Sequence, residues 1–440
     1  MTPLTRWTRR LAFPLLGIAV LYGIARLWVG AVARARLDDE LARIRAAGEP
    51  VTLADASPPV PEAENAAPLI QAAWALVADE PESVVPFYSE PISAPAATAD
   101  AAAAWVESGR AGLDLLSKAL EERPRCRFGP NALESDLRFE EIPGLMKLSR
   151  LLNVRGHLAS RRGDLVAALA DARRLDLLGD RIAQSPLLIH RLVGSAVQHV
   201  GVRVFESAVA HGRPPADACE ALQRHLAALP ARRIDRAVIL AERAYGCMLF
   251  DRAGRGDAPI VQSVGVGDGH QGNALLCALL PGPALTLDQA RTLRLWTRAL
   301  PRAGRPWSEA GTAWTEIQSS ARGDAPWYAR FSGDVVWVGA LASRKLAETE
   351  ARRDLAQLAL RIEVYESSFR ALPTRLEDLG QDIVPLDPVS GVPFAYRATD
   401  GGRGYVVYGF GDNRRDDGGA EEPGPSAPDA DDVSFRRPAR

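Results

Sequence analysis

With 440 residues, 47% of them hydrophobic and 25% charged, the chain has room for two or three domains and the composition to bury a core. Its 53 basic and 55 acidic residues give a formal net charge of −2, which removes any bulk electrostatic case for a nucleic-acid partner. Cys126, Cys219, Cys247 and Cys277 stand too far apart for a CxxC metal or redox motif. One or two disulfides in an oxidising compartment, or isolated buried thiols, remain open.

Residues 1–10 carry Arg6, Arg9 and Arg10, and residues 11–25 (LAFPLLGIAVLYGIA) carry no charge. Arg26 interrupts, and LWVGAVA continues the apolar run to Ala33. About 20 apolar residues span a bilayer, so 11–33 reads as a transmembrane anchor, with Arg26 able to snorkel and Trp7 and Trp28 suited to the two interfaces. A cleaved signal peptide ending at Ala31-Val32-Ala33 is the competing reading. Both export the remainder. An uncleaved anchor leaves 1–10 as a cytoplasmic tail and the bulk in the periplasm or extracytoplasmic space, a single-pass protein of the inner membrane.

Residues 34–64 read as a juxtamembrane helix and a Pro-rich linker (EPVTLADASPPVPEAE). From 65 to 333 the chain is Ala/Leu/Arg-rich with helical periodicity. Helices are expected over 65–78, 98–121, 138–161, 165–182, 186–210, 215–228, 231–253, 286–299 and 306–321, as a bundle or irregular α-solenoid. Residues 151–178 resemble one tetratricopeptide unit, with Gly156, Gly163-Asp164 and Ala168 in register. No second copy follows at the repeat's period. The middle of the chain also resembles uncharacterised bacterial envelope proteins with a PRCRF segment (124–128) and an ERAYG helix (242–246). The Gly-rich stretch GVGDGHQG within 254–283 lacks the spacing of a phosphate-binding loop and reads as a surface loop. The six His form no HExxH or HxxxH pair, and no GxSxG occurs, so no catalytic residue is assigned.

Residues 334–436 change character. A long helix carries the apolar stripe Leu355, Leu358, Ile362, Tyr365 and Phe369 at 3-4-3-4 spacing, which has to pack on something. PFAYRA (393–398) and GYVVYGF (404–410), joined by TDGG, predict a β-hairpin, and VSF (433–435) a last short strand. The expected fold class is therefore mainly α, with a small C-terminal α+β domain of a long helix on a short antiparallel sheet.

The order of LPTRLEDL (372–379), VPLDPVSGVPFAYR (384–397), GYVVYGFGDNRRDDGG (404–419) and DADDV (429–433) after that helix resembles the globular region of the major pseudopilin of type II secretion. The resemblance covers about residues 350–435, a fifth of the chain. It implies a pilin-like domain and a structural Ca²⁺ in the last loop. Hard oxygen donors on a Gly/Pro-rich loop suit such a cation, and the candidate ligands are Asp412, Asn413, Asp416, Asp417, Asp431 and Asp432. The chain departs from the pattern in placing Asn413 at the usual Asp and Arg414 at the usual Gly. It also has no Glu before Glu40, so prepilin processing is not implied. A solvated acidic loop is the alternative to the calcium site. The function expected is that of a non-catalytic, membrane-anchored scaffold or accessory protein meeting secretion or envelope proteins. A helical peptide- or ligand-binding module and an unrecognised hydrolase are the rivals.

Overall fold

The computed structural model describes residues 3–85, 87, 96–128, 139–231, 233–257, 279–323, 326–329, 332–380, 384–424 and 428–439. The Gly-rich stretch GVGDGHQG, His270 and Cys277 lie outside them. The fold is mainly helical. The elements used below are α1 (Pro3–Ala46), α2 (Ala67–Ala75), α3 (Ala96–Ser108), α4 (Arg110–Glu122), α5 (Glu141–Arg161), α6 (Leu165–Ala183), α7 (Leu188–His211), α8 (Ala216–Ala228), α9 (Arg236–Gly254), α10 (Pro281–Ala299), α11 (Trp307–Arg322), α12 (Ser332–Phe369), β1 (Ala395–Thr399), β2 (Gly404–Gly409) and β3 (Val433–Arg437). The chain divides into two compact units: Met1–Ala56 with Arg236–Ala303 and Thr312–Leu341, and Ser57–Asp235 with Gly304–Gly311 and Ala342–Arg440.

In the first unit α1 runs without a break from the apolar segment into the charged one. Its two parts have different surroundings. Phe13, Leu15, Leu16, Ile18, Leu21, Ile24, Leu27 and Trp28 are exposed, whereas Ala33 and Ile44 are buried. The packed part lies along α10, and α9 packs on α10 in turn. Glu49 accepts from Arg236 and from the buried Arg243, the latter at 2.7 Å. The segment from Phe13 to Ala46 is long and apolar enough to cross a membrane. α10 starts at Pro281, five residues before its expected start, because proline suits the first helical turn.

The second unit is built on the α5–α6–α7 stack. Gly163 adopts a left-handed conformation (φ +77) at the turn after α5, and the Asp164 carboxylate caps α6 by accepting from Ala167 N at 3.1 Å. α6 and α7 approach each other closely. A Cβ on Gly179 or Gly194 would run into the other helix's backbone carbonyl, and one on Gly201 would lie 3.0 Å from the Ala172 carbonyl oxygen. Gly156 serves the same end on α5, where a Cβ would strike the side chain of Val204 on α7. The helix expected over 98–121 is two helices, α3 and α4, meeting at Gly109, whose missing Cβ leaves room for Leu151.

β1 and β2 form the expected hairpin, in register from Ala395↔Tyr408 to Thr399↔Gly404, with Asp400, Gly401 and Gly402 at positive φ in the turn. β3 pairs antiparallel on the far side of β2, giving the order β1-β2-β3. Leu355, Leu358 and Ile362 of α12 are buried in one apolar core with Tyr405, Val407 and Phe435 of the sheet. That core also runs through α5, α6 and α7, and the rings of Phe205 (α7) and Phe435 lie 4.9 Å apart. The stripe ends early: Tyr365 is half-buried and Phe369 is 66% exposed. Arg370 follows at φ +59, a left-handed residue that ends the helix.

Candidate metal centre

The loop between β2 and β3 holds the six candidate ligands, and its backbone is shaped by glycine. Gly411 sits at φ +57, so close to Asp431 that any Cβ would collide with that residue's carbonyl oxygen and carboxylate. Gly418 and Gly419 also take positive φ, turning their amides inward.

The structure sorts the six residues into two groups. Asp431 accepts backbone N–H groups of Asp412 (3.1 Å) and Asn413 (3.3 Å) and lies 3.4 Å from Arg344 Nη2 on α12. Asp412 lies 3.4 Å from the same guanidinium and accepts from the Trp307 indole N–H at 2.7 Å. Arg344 thus stands as a built-in cation between two of the candidate carboxylates.

The second group is Asp416, Asp417 and Asp432. Asp432 is 1% exposed. Its Oδ2 accepts from Asp417 N (3.1 Å) and Gly419 N (2.7 Å), while its Oδ1 is buried with no hydrogen-bond partner among the described residues. Burial, with the neighbouring charges of Asp417 and Asp416 adding to it, pushes the Asp432 carboxyl up to about 6. Asp416 accepts from the Tyr408 hydroxyl at 3.0 Å and from Gly418 N at 2.9 Å. Asn413 joins the groups. Its side-chain N–H donates to Asp417 Oδ2 and to the Asp429 carbonyl, both at 2.8 Å, and its Oδ1 accepts from Arg415 N. The acidic residue Glu421 belongs elsewhere, paired with Arg352 at 3.0 Å and accepting from Ser434 N and Oγ.

Hard carboxylate oxygens are the right donors for a divalent cation, and the orphaned Asp432 Oδ1 is where such an ion would be welcome. Asp416, Asp417 and Asp432 are the residues able to hold it. Asp412 and Asp431 already have Arg344, and Asn413 uses its amide as a donor. Among the described residues, no three His, Cys, Asp or Glu converge as a formed metal site. Sequence reasoning missed Arg344 and Trp307, which lie far from the loop in the chain and carry no local signal.

His190 and Glu141 form a buried pair at 2.8 Å, stacked on Phe128, and His225 meets Asp176 at 2.9 Å. Burial, reinforced by Arg203 and His211, pulls His157 down to about 3. Cys126, Cys219 and Cys247 are buried; burial pushes the Cys126 thiol up to about 12 and that of Cys247 to about 11, which suppresses the nucleophilic thiolate.

No family model matches the chain, and no curated protein and no solved structure is significantly similar to it.

Proposed function

We propose that the protein is a single-pass inner-membrane protein of the bacterial envelope, with its folded part outside the cytoplasm. There it acts as a non-catalytic scaffold or accessory to a secretion or envelope assembly. The observation that carries the membrane anchor is the division of α1. Its apolar part is exposed while its continuation is packed along α10. Ala33 is helical and fully buried in the folded protein. The full-length protein should resist extraction from membranes by alkaline carbonate. A C-terminal alkaline phosphatase fusion should be active and a fluorescent-protein fusion dark. The reverse pair of reporter results would put the folded part in the cytoplasm and end the proposal. Capture of secretion components from detergent-solubilised membranes tests the accessory role.

The pseudopilin-like reading of the C-terminal segment is supported by the order of α12, hairpin, acidic loop and β3. Arg414 supports it too. At the place where the resemblance expects Gly, the residue is left-handed, with φ +57. With that reading comes calcium on Asp416, Asp417 and Asp432. Ca²⁺ and a proton would compete for Asp432. Its folded pKa lies above the unfolded value, so the folded state takes up a proton as pH falls through about 6, and metal affinity drops there. Millimolar Ca²⁺ should raise the thermal midpoint by a few degrees at pH 7.5, Mg²⁺ less, and neither at pH 5. Asp432→Asn should remove the calcium increment. Equal melting with Ca²⁺ and with chelator at pH 7.5 would leave a solvated acidic loop.

A further inference from the structure

The outer end of α12 forms one wall of a groove that the membrane and calcium readings leave unused. Its other walls are α8 and the short turn Leu376–Leu379, and it encloses about 700 Å³, the size of a ligand site. The apolar part of the lining is Val364, Tyr365, Phe369 and Leu379, with the Tyr365 and Phe369 rings 4.5 Å apart. Phe369, 66% exposed among the described residues, ends a stripe whose earlier members Leu355, Leu358 and Ile362 are buried.

The polar part is dominated by Arg361. Its guanidinium lies half-buried between α12 and α8, and burial lowers its pKa from the ordinary value. With the Gln223 amide turned so that its oxygen faces the guanidinium, Nε and Nη2 donate to it at 2.6 and 3.2 Å. Among the described residues no carboxylate reaches Arg361. Asp378, on the opposite wall, is already taken by the amides of Thr374 and Arg375 at 2.9 and 3.1 Å. Glu220 lines the groove on the exposed side of α8, where Arg224, a second cation, folds back onto its carbonyl oxygen at 3.3 Å. A partly desolvated arginine held by a neutral amide keeps donors free in a planar fork, and that fork is made for a carboxylate.

We propose that this groove binds a carboxylate carried on an apolar body, the carboxylate on the free edge of Arg361 and the apolar part against Tyr365 and Phe369. The C-terminal residue of an extended peptide and a small apolar acid share that chemistry. The proposal stands independently of the membrane reading.

The test uses the full chain in lipid nanodiscs and calorimetric titration with four probes: N-acetylphenylalanine, its amide, and a pentapeptide ending in phenylalanine as free acid and as amide. Each free acid is expected to bind about tenfold tighter than its amide, the worth of a charge-assisted hydrogen-bond pair. Arg361→Gln should bring acid down to amide level, and Arg361→Lys should recover part of the difference. Phe369→Ala should weaken acid and amide alike. Unchanged melting midpoints show that the variants are folded. A peptide acid that binds more tightly than the single residue identifies a chain terminus as the source; equal affinities identify a small acid. Equal binding of acid and amide, no effect of Arg361→Gln on the acid, or no saturation by any probe at millimolar concentration overturns the proposal.

Discussion

Replacing Arg437 with Met is expected to destabilise the second unit by about 3–5 kcal/mol, the cost of breaking a buried ion cluster by removing one partner. Arg437 is 1% exposed and lies on β3 against α12. Nη1 donates to Glu363 Oε1 at 3.1 Å and to Glu366, Nη2 donates to the Arg403 carbonyl at 3.0 Å, and the guanidinium carbon sits 4.8 Å over the Tyr405 ring. The variant would leave two buried carboxylates. Glu363 would keep the Tyr405 hydroxyl at 3.1 Å, and Glu366 would keep Arg213 at 2.7 Å. Chemical denaturation measures the loss. Adding Glu363→Gln should return part of it, because the variant then buries one uncompensated charge fewer. A loss under about 1 kcal/mol would mean that water reaches the carboxylates and that β3 is not clamped by charge.

Gly194→Ala should also be costly, although alanine is the better helix former by about 1 kcal/mol. The new methyl group would meet the Gly179 carbonyl oxygen and lie 2.9 Å from the Ala183 Cβ. Neither is the free end of a flexible side chain, so α6 and α7 have to separate. We expect a net loss of about 2–3 kcal/mol, in the range of overpacked cores. Gly246→Ala on α9 is the matched control. Its Cβ would meet only the Thr292 Cγ2, at 3.5 Å, so that variant should be neutral or up to about 1 kcal/mol more stable. A Gly194→Ala variant as stable as the parent or more so would refute the close crossing of α6 and α7.

Local patterns were readable where the chain's own neighbours decide the structure. Gly163-Asp164 marks the α5–α6 turn because a left-handed residue and a cap need only adjacent atoms. TDGG marks the β1–β2 hairpin for the same reason. What depends on distant partners was not readable. Gly179 and Gly194 look like poor helix residues until their helices are placed against each other. Phe369 fits the periodic stripe, yet α12 ends there and the ring stands exposed on a groove rim. In the acidic loop the density of carboxylates was plain from the sequence. That Arg344 would serve Asp412 and Asp431, leaving Asp432 with the orphaned oxygen, was not, because α12 delivers that arginine from 68 positions before Asp412 (412 − 344).

The unbroken course of α1 has a mechanical consequence. At 1.5 Å per residue its 44 residues make a rod of about 66 Å. With residues 11–33 in a bilayer, the stretch from Arg34 to Ala46 continues about 20 Å further as the same rod, gripped by α10. The first unit is then fixed rigidly to the span, where a flexible linker would have made it a tethered float. Its height above the lipid is set by helix geometry, and a change in bilayer thickness that tilts the span tilts the unit with it. A partner would meet it only at that height, which narrows the search of two membrane-bound proteins from a volume to a thin shell parallel to the membrane.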